Sequence, residues 1–462
     1  MARAPGARPR GRVPWGWLEI VIVAQPLLGA LVFVPGLGQV RVLIRVAVYM
    51  IALLAWAHLG LRGRRGRGQP FPAVPWLAVC VPWLLLSIFH PTTSTLMAGI
   101  MGAGVDIAVL SPVFWAPAAL RSARQVRRVL LLLFLCNAAG AVMGIAQFYR
   151  PATFNPPVIP ALARGAVFED IYSYIDATGR RVLRPCGLTD TPGGASVAGA
   201  MSALLGICWA LRPMAAWKRL ACLALGMAGA AIIYLCMVRL MLLSMLACIP
   251  VLAALFLLRG DAGRSVLVVG GAVVALACAT LWAARNGGEM IIARFRTLLA
   301  GNPTKLYHDN RGHFVQYTLE EVIWEYPLGA GLGRWGVVNG YFGDPTPTAE
   351  RQTLWAEVQV TAWVYDGGIP MLVCYTGAIV VAMLQAFRIA RTCPNEEIAF
   401  WAAVVVALAL NVVIRSMGSV AFSSADGVQF WILLAMIHAA DQQIRAERAA
   451  QGAARARSGA TR

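Results

Sequence analysis

Twelve apolar runs, each about long enough to cross a bilayer and each bounded by a polar break, constrain this chain more than any other feature. They fall near residues 17–36, 41–60, 72–90, 97–119, 127–148, 188–211, 217–237, 240–258, 265–284, 366–387, 397–415 and 424–440. The hydrocarbon core of a bilayer is spanned by about 20 residues of helix. Within lipid every backbone N–H and C=O must be bonded inside the protein, which leaves helices or closed barrels. Runs of this length are about twice those of barrel strands. The expected fold is therefore an all-α polytopic membrane protein with about 12 transmembrane helices. Only 13% of the 462 residues are charged, against roughly 25% in a soluble domain.

Charge then orients the runs. With the N-terminus inside, the seven inner segments hold 24 of the 40 lysines and arginines, the bias expected of cytoplasmic loops. Arg41, Arg239 and Arg415 stand nearly alone on the other side. The net charge of +19 thus reads as loop asymmetry, and nucleic acid is not an expected partner. The first run follows Arg3, Arg8, Arg10 and Arg12 and reads as a signal anchor. Most of the ten cysteines lie in apolar runs, with no metal or disulfide spacing; Cys186 and Cys236 form the one pair that could meet near the outer face.

The expected organisation has membrane helices over 1–284, interrupted by an outer loop at 149–187, then a large outer loop at 285–365, three more helices over 366–440, and a basic cytoplasmic tail at 441–462. Loops of such length usually carry function. The first is proline-rich and then holds Tyr172, Tyr174 and Asp176. In the second, Asp309 is placed to cap a helix starting near Asn310 and stopping before Pro327. Val315, Leu319, Val322, Ile323 and Tyr326 share one stripe at helical spacing, while His313, Gln316, Glu320 and Trp324 share another. Arg311 lies one turn before Val315, on the stripe facing protein or membrane. Gly331, Gly333 and Gly336 match a dinucleotide motif formally, but they follow a helix instead of a strand. They are expected to permit a tight turn against the membrane domain.

Ionisable groups inside or beside apolar runs are expensive and default to function. Arg239, in YLCMVRLMLLSML, is such a group, and arginine holds phosphate bidentately. Asp106, Asp190, Glu357, Asp366 and Asp426 are further candidates.

Four segments carry a resemblance. RPCGLTDTPGGASVAGA at 184–200 is similar to R-x-x-G-x-x-x-x-P-N-x-x-A, and MVRLMLLSML to S-R-x-x-x-L-x-x-L. NRGHFVQYTLEEVIWEYPLGAGLG is similar to R-x-x-x-W…P-x-x-G-x-G, and EVQVTAWVYDGGIPM to H-N-x-x-L-x-x-x-x-E-x-G-x-x-G. In this order on such a chain they resemble the O-antigen ligase and O-antigen polymerase superfamily of bacterial membrane glycosyltransferases. Glu357 stands where ligases carry His, Asp366 where the acid before the glycine falls, and Phe314 to Tyr317 lacks the usual tryptophan.

The resemblance implies a GT-C-like fold with a helical periplasmic loop domain, in a bacterial inner membrane, both termini cytoplasmic and the active site periplasmic. It implies an enzyme that joins glycan from an undecaprenyl pyrophosphate carrier to an acceptor hydroxyl, and Glu357 in place of His points to one that polymerises oligosaccharide repeat units. Arg239 and Arg311 would neutralise the pyrophosphate and Glu357 would take the acceptor proton. Arg184, His308, His313, Arg334, Asp366, Tyr172 and Trp335 would contact pyrophosphate or glycan. No cofactor or metal is expected. Implied partners are the lipid-linked glycan, a glycan or lipid acceptor, the bilayer and a chain-length regulator. One alternative is a ligase delivering glycan to lipid A-core or another acceptor; the other is a lipid-linked glycan flippase or transporter without chemistry, whose usual internal repeat is not visible here.

Overall fold

A computed structural model describes residues 15–34, 36–61, 69–155, 173–175, 181–189, 191, 193–300 and 302–459. A helix occupies each of the twelve expected places: α1 (Trp17–Leu31), α2 (Arg41–Leu61), α3 (Val74–Ser87), α4 (Leu96–Leu110) running on through α5 (Pro112–Ala119), α6 (Ala123–Tyr149), α7 (Gly194–Ala210), α8 (Ala216–Leu235), α9 (Arg239–Leu257), α10 (Ala262–Ala300), α11 (Gln359–Thr392), α12 (Glu396–Ser416) and α13 (Ala425–Gly459). Among the described residues, eight helices are long and apolar enough to cross a membrane; α1, α3 and α7 are apolar but shorter. The protein is a multi-pass helical membrane protein. Among the described residues, strand structure is a three-residue antiparallel pair, β1 (Ser173–Ile175) and β2 (Arg181–Leu183), with Tyr174 opposite Val182.

Two boundaries differ from expectation. Helix α10 runs past 284 to Ala300, because residues 285–300 continue without a proline before Pro303. Helix α11 starts at Gln359, which puts Asp366 inside it.

Packing follows small residues where helices meet closely. A Cβ on Gly206 would lie 2.8 Å from Gly226 Cα, and one on Gly199 would lie 2.5 Å from Gly229 O, so α7 and α8 touch along their backbones. Helix α13 threads the interior: Val428 and Phe430 to Asp441 are buried, and Trp431 Nε1 donates to Tyr375 Oη at 3.1 Å. The first turn of α13 is tied to the end of α12 by Arg415, which pairs with Asp426. Cys186 and Cys236 remain free thiols, and Cys236 Sγ donates to Pro185 O instead.

Helix α11 breaks at Gly368 (φ 64°), two residues before Pro370. The break frees backbone groups, and the 327–330 segment satisfies them. Ile369 N donates to Pro327 O at 2.8 Å, and Ala330 N donates to Tyr365 O at 2.7 Å. Trp83 Nε1 donates to Gly367 O at 2.8 Å. The long loop is thereby fastened to the kink. Its glycines fasten it to the α3–α4 corner as well: Gly331 and Gly333 have φ of 84° and 71°, and a Cβ on either would lie 2.5 Å from Thr93 N or Ala98 Cβ.

Candidate functional site

The segment between α10 and α11 is helical from Pro303 to Glu325, but not as one regular amphipathic helix. Asn302, and not Asp309, caps it, accepting from Thr304 N and Lys305 N. Two turns widen to i→i−5 spacing, His308–Gly312 and Thr318–Val322. Such wide turns are uncommon and favour functional positions. The first carries Arg311. The second turns Thr318 toward α11, where Thr318 Oγ1 and Thr361 Oγ1 lie 2.6 Å apart. Leu319, expected on the buried stripe, is consequently 49% exposed.

Four charged side chains from distant parts of the chain come together beside the first wide turn. Arg311 forms an ion pair with Glu357, which stands just before α11. Arg239, the first residue of α9, donates from Nη2 to Asn310 Oδ1 at 3.3 Å. Arg184 follows β2 and lies close enough for its cation to act on Arg311. Partial burial, and after it the Arg184 cation, holds the Arg311 pKa below the usual arginine value. Glu357 Oε1 also accepts from Trp355 Nε1 at 2.8 Å. The α12–α13 turn closes one side: a Cβ on Gly418 would lie 3.7 Å from Arg311 Cγ, and Tyr307 Oη donates to Met417 O at 2.9 Å. Three guanidinium groups and one carboxylate thus meet among the described residues, and guanidinium groups suit an anion such as phosphate.

Backbone geometry aims Arg239. The link between α8 and α9 is Cys236–Met237–Val238, and Met237 has φ 56°. A non-glycine residue in the left-handed region marks a backbone held by its surroundings, here a turn that sets the first residue of α9 beside Asn310.

The remaining expected residues divide. His308, which opens the first wide turn, and His313, which follows it, are exposed, and His313 Nδ1 donates to His308 O at 3.0 Å. Arg334 is buried, and its guanidinium donates to main-chain carbonyls, once to Ala330 O and twice to Gln352 O at 2.9–3.1 Å. It clamps the loop. Trp335 Nε1 donates to Asp366 Oδ1 at 2.8 Å within the seat where the loop meets the α11 kink. Neither joins the arginine cluster through a direct bond. Asp106 is buried in α4. Tyr172, Asp176 and Asp190 lie outside the described residues. Sequence reasoning missed Asn310 and Trp355, which are neutral and carry no spacing signal.

No protein-family model matches the chain, and no curated protein matches it.

Proposed function

We propose that this protein is a membrane glycosyltransferase that polymerises glycan repeat units carried on undecaprenyl pyrophosphate. In this reading all twelve helices span a bacterial inner membrane in a GT-C-like arrangement, both termini are cytoplasmic, and the arginine cluster faces the periplasm. The single observation that supports it most is the meeting of Arg184, Arg239 and Arg311 at the first wide turn, where Arg311 pairs with Glu357. Fixed cations at a leaving pyrophosphate stabilise the charge that develops there.

The reaction moves one proton and exchanges one bond. The acceptor hydroxyl oxygen attacks the anomeric carbon of the donor sugar. The bond from that carbon to the pyrophosphate oxygen breaks, and the electron pair leaves with the pyrophosphate, held by Arg239 and Arg311 with Arg184 adding to the field. Glu357 takes the hydroxyl proton. Its ion pair with Arg311 gives this chemistry an order. A pyrophosphate competes for the guanidinium, and the carboxylate it displaces becomes free to act as base. The base is thus idle until the donor arrives. A carboxylate at this position accepts a proton from a sugar hydroxyl but does not donate to phosphate at neutral pH, which favours a glycan acceptor and hence polymerisation. A chain-length regulator is the expected protein partner.

Deletion in the producing cell tests the reading. Loss of a polymerase leaves single repeat units on the carrier or final acceptor. Long chains on the carrier with none on the acceptor would instead identify a ligase.

A further inference from the structure

We infer that Trp355 is a sugar-binding platform beside Glu357, on which a pyranose ring of the glycan acceptor stacks. This rests on the glycan-transfer reading and identifies a surface for the acceptor that the arginines do not provide. Residues 352–357 run without helix along the loop end of the bundle. They are pinned residue by residue. Arg334 donates twice to Gln352 O, Asn339 Nδ2 donates to Thr353 Oγ1 at 3.0 Å, and Leu354 N donates to Arg334 O at 2.7 Å. Leu354 and Ala356 pack inward on the small cluster of Val322, Ala330, Val364 and Tyr365. The alternate residues Trp355 and Glu357 meet each other through the indole N–H, the same-side relation of i and i+2 in an extended chain.

The indole is therefore held at one edge while 54% of the residue stays exposed. An interfacial-belt tryptophan directs its N–H to water or lipid headgroups; this one directs it to a carboxylate already paired with an arginine. A ring held in place loses little freedom when a ligand arrives. Its electron-rich face suits the C–H face of a pyranose, as it suits the positive edges of other rings. Two residues of extended chain span about 7 Å, so a sugar stacked on Trp355 can bring a hydroxyl to the Glu357 carboxylate. The donor's pyrophosphate sits with the arginines, which leaves the aromatic shelf to the acceptor. Trp335, by contrast, is partly buried and bonded to Asp366, and offers no comparable shelf.

The test uses purified full-length protein in detergent and the free repeat-unit oligosaccharide released by mild acid from the producing cells' lipid-linked pool. Binding is read by saturation-transfer NMR and titration calorimetry, and transfer by separate donor and acceptor KM values. Trp355→Ala should raise the oligosaccharide Kd and the acceptor KM by about tenfold or more, the scale of a lost aromatic contact, with the donor KM unchanged. Trp355→Phe should keep most of the binding but lower kcat, because Glu357 loses its N–H partner. An unchanged Kd and acceptor KM in the Ala variant overturns the inference, as does equal weakening of donor and acceptor, or a wild type that does not bind the oligosaccharide. Binding that depends on Trp355 without any transfer would leave the platform standing and refute the transferase reading.

Discussion

At the scale of single residues, the candidate site is a meeting of partly exposed charges, with Arg311 and Glu357 paired and Arg239 bonded to Asn310. Arg239 is conspicuous in the sequence as an isolated charge between apolar runs, whereas Arg311 and Glu357 are singled out by the resemblance. Arg334 is singled out as well yet serves the main chain, since the carbonyls it bonds, Ala330 and Gln352, are brought to it only by the folded loop. Glu357 is the residue whose role is most exposed to test. Glu357→Gln keeps the shape and removes the base, so turnover should fall by about a hundredfold or more, while the lipid-linked donor still binds and the protein still inserts. Turnover within a few-fold of wild type, measured on purified protein, would reduce Glu357 to a residue that only positions Arg311.

At the scale of elements, the loop helix and the kink in α11 set where those charges stand. That the segment is helical and stops before Pro327 was legible from its period, but its start at Pro303 under the Asn302 cap was not. Its two wide turns were not, because nothing in residue type distinguishes them from regular helix. The kink had a visible signal in Gly367-Gly368-Ile369-Pro370, but its partner, the 327–330 segment, is a tertiary choice. Gly331 bears on this scale. Gly331→Ala forces a side chain into left-handed backbone, at about 1–2 kcal/mol, and sets its Cβ 2.5 Å from Thr93 N. The loop should detach from the α3–α4 corner, lowering thermal stability and turnover together. A variant with wild-type melting and wild-type turnover would show that this anchor does not position the site.

At the scale of the whole molecule, the apolar runs located a helix at each expected place among the described residues, and eight helices there are long and apolar enough to cross a membrane. Length is where sequence and structure part: α1, α3 and α7 hold 15, 14 and 17 residues, shorter than the runs that contain them, because turns and caps take the ends. The proposed topology makes a concrete forecast. Cysteines introduced at Ile175 and Pro345 should react with an impermeant maleimide added to intact spheroplasts. Protection of both positions until the cells are lysed would invert the topology and move the arginine cluster to the cytoplasmic side.

In the proposed function, clustered arginines activate a pyrophosphate-linked glycan for transfer. The most direct measurement is elongation of a defined undecaprenyl-pyrophosphate oligosaccharide by purified protein in excess chelator, resolved by glycan length. The wild type should extend the glycan. Arg239→Ala and Arg311→Ala should each abolish extension while the protein still inserts, and lysine at either position should restore only part of it, since the bidentate fork is lost. Near-normal extension by both alanine variants, or strict dependence of the wild type on a divalent metal, would contradict the account.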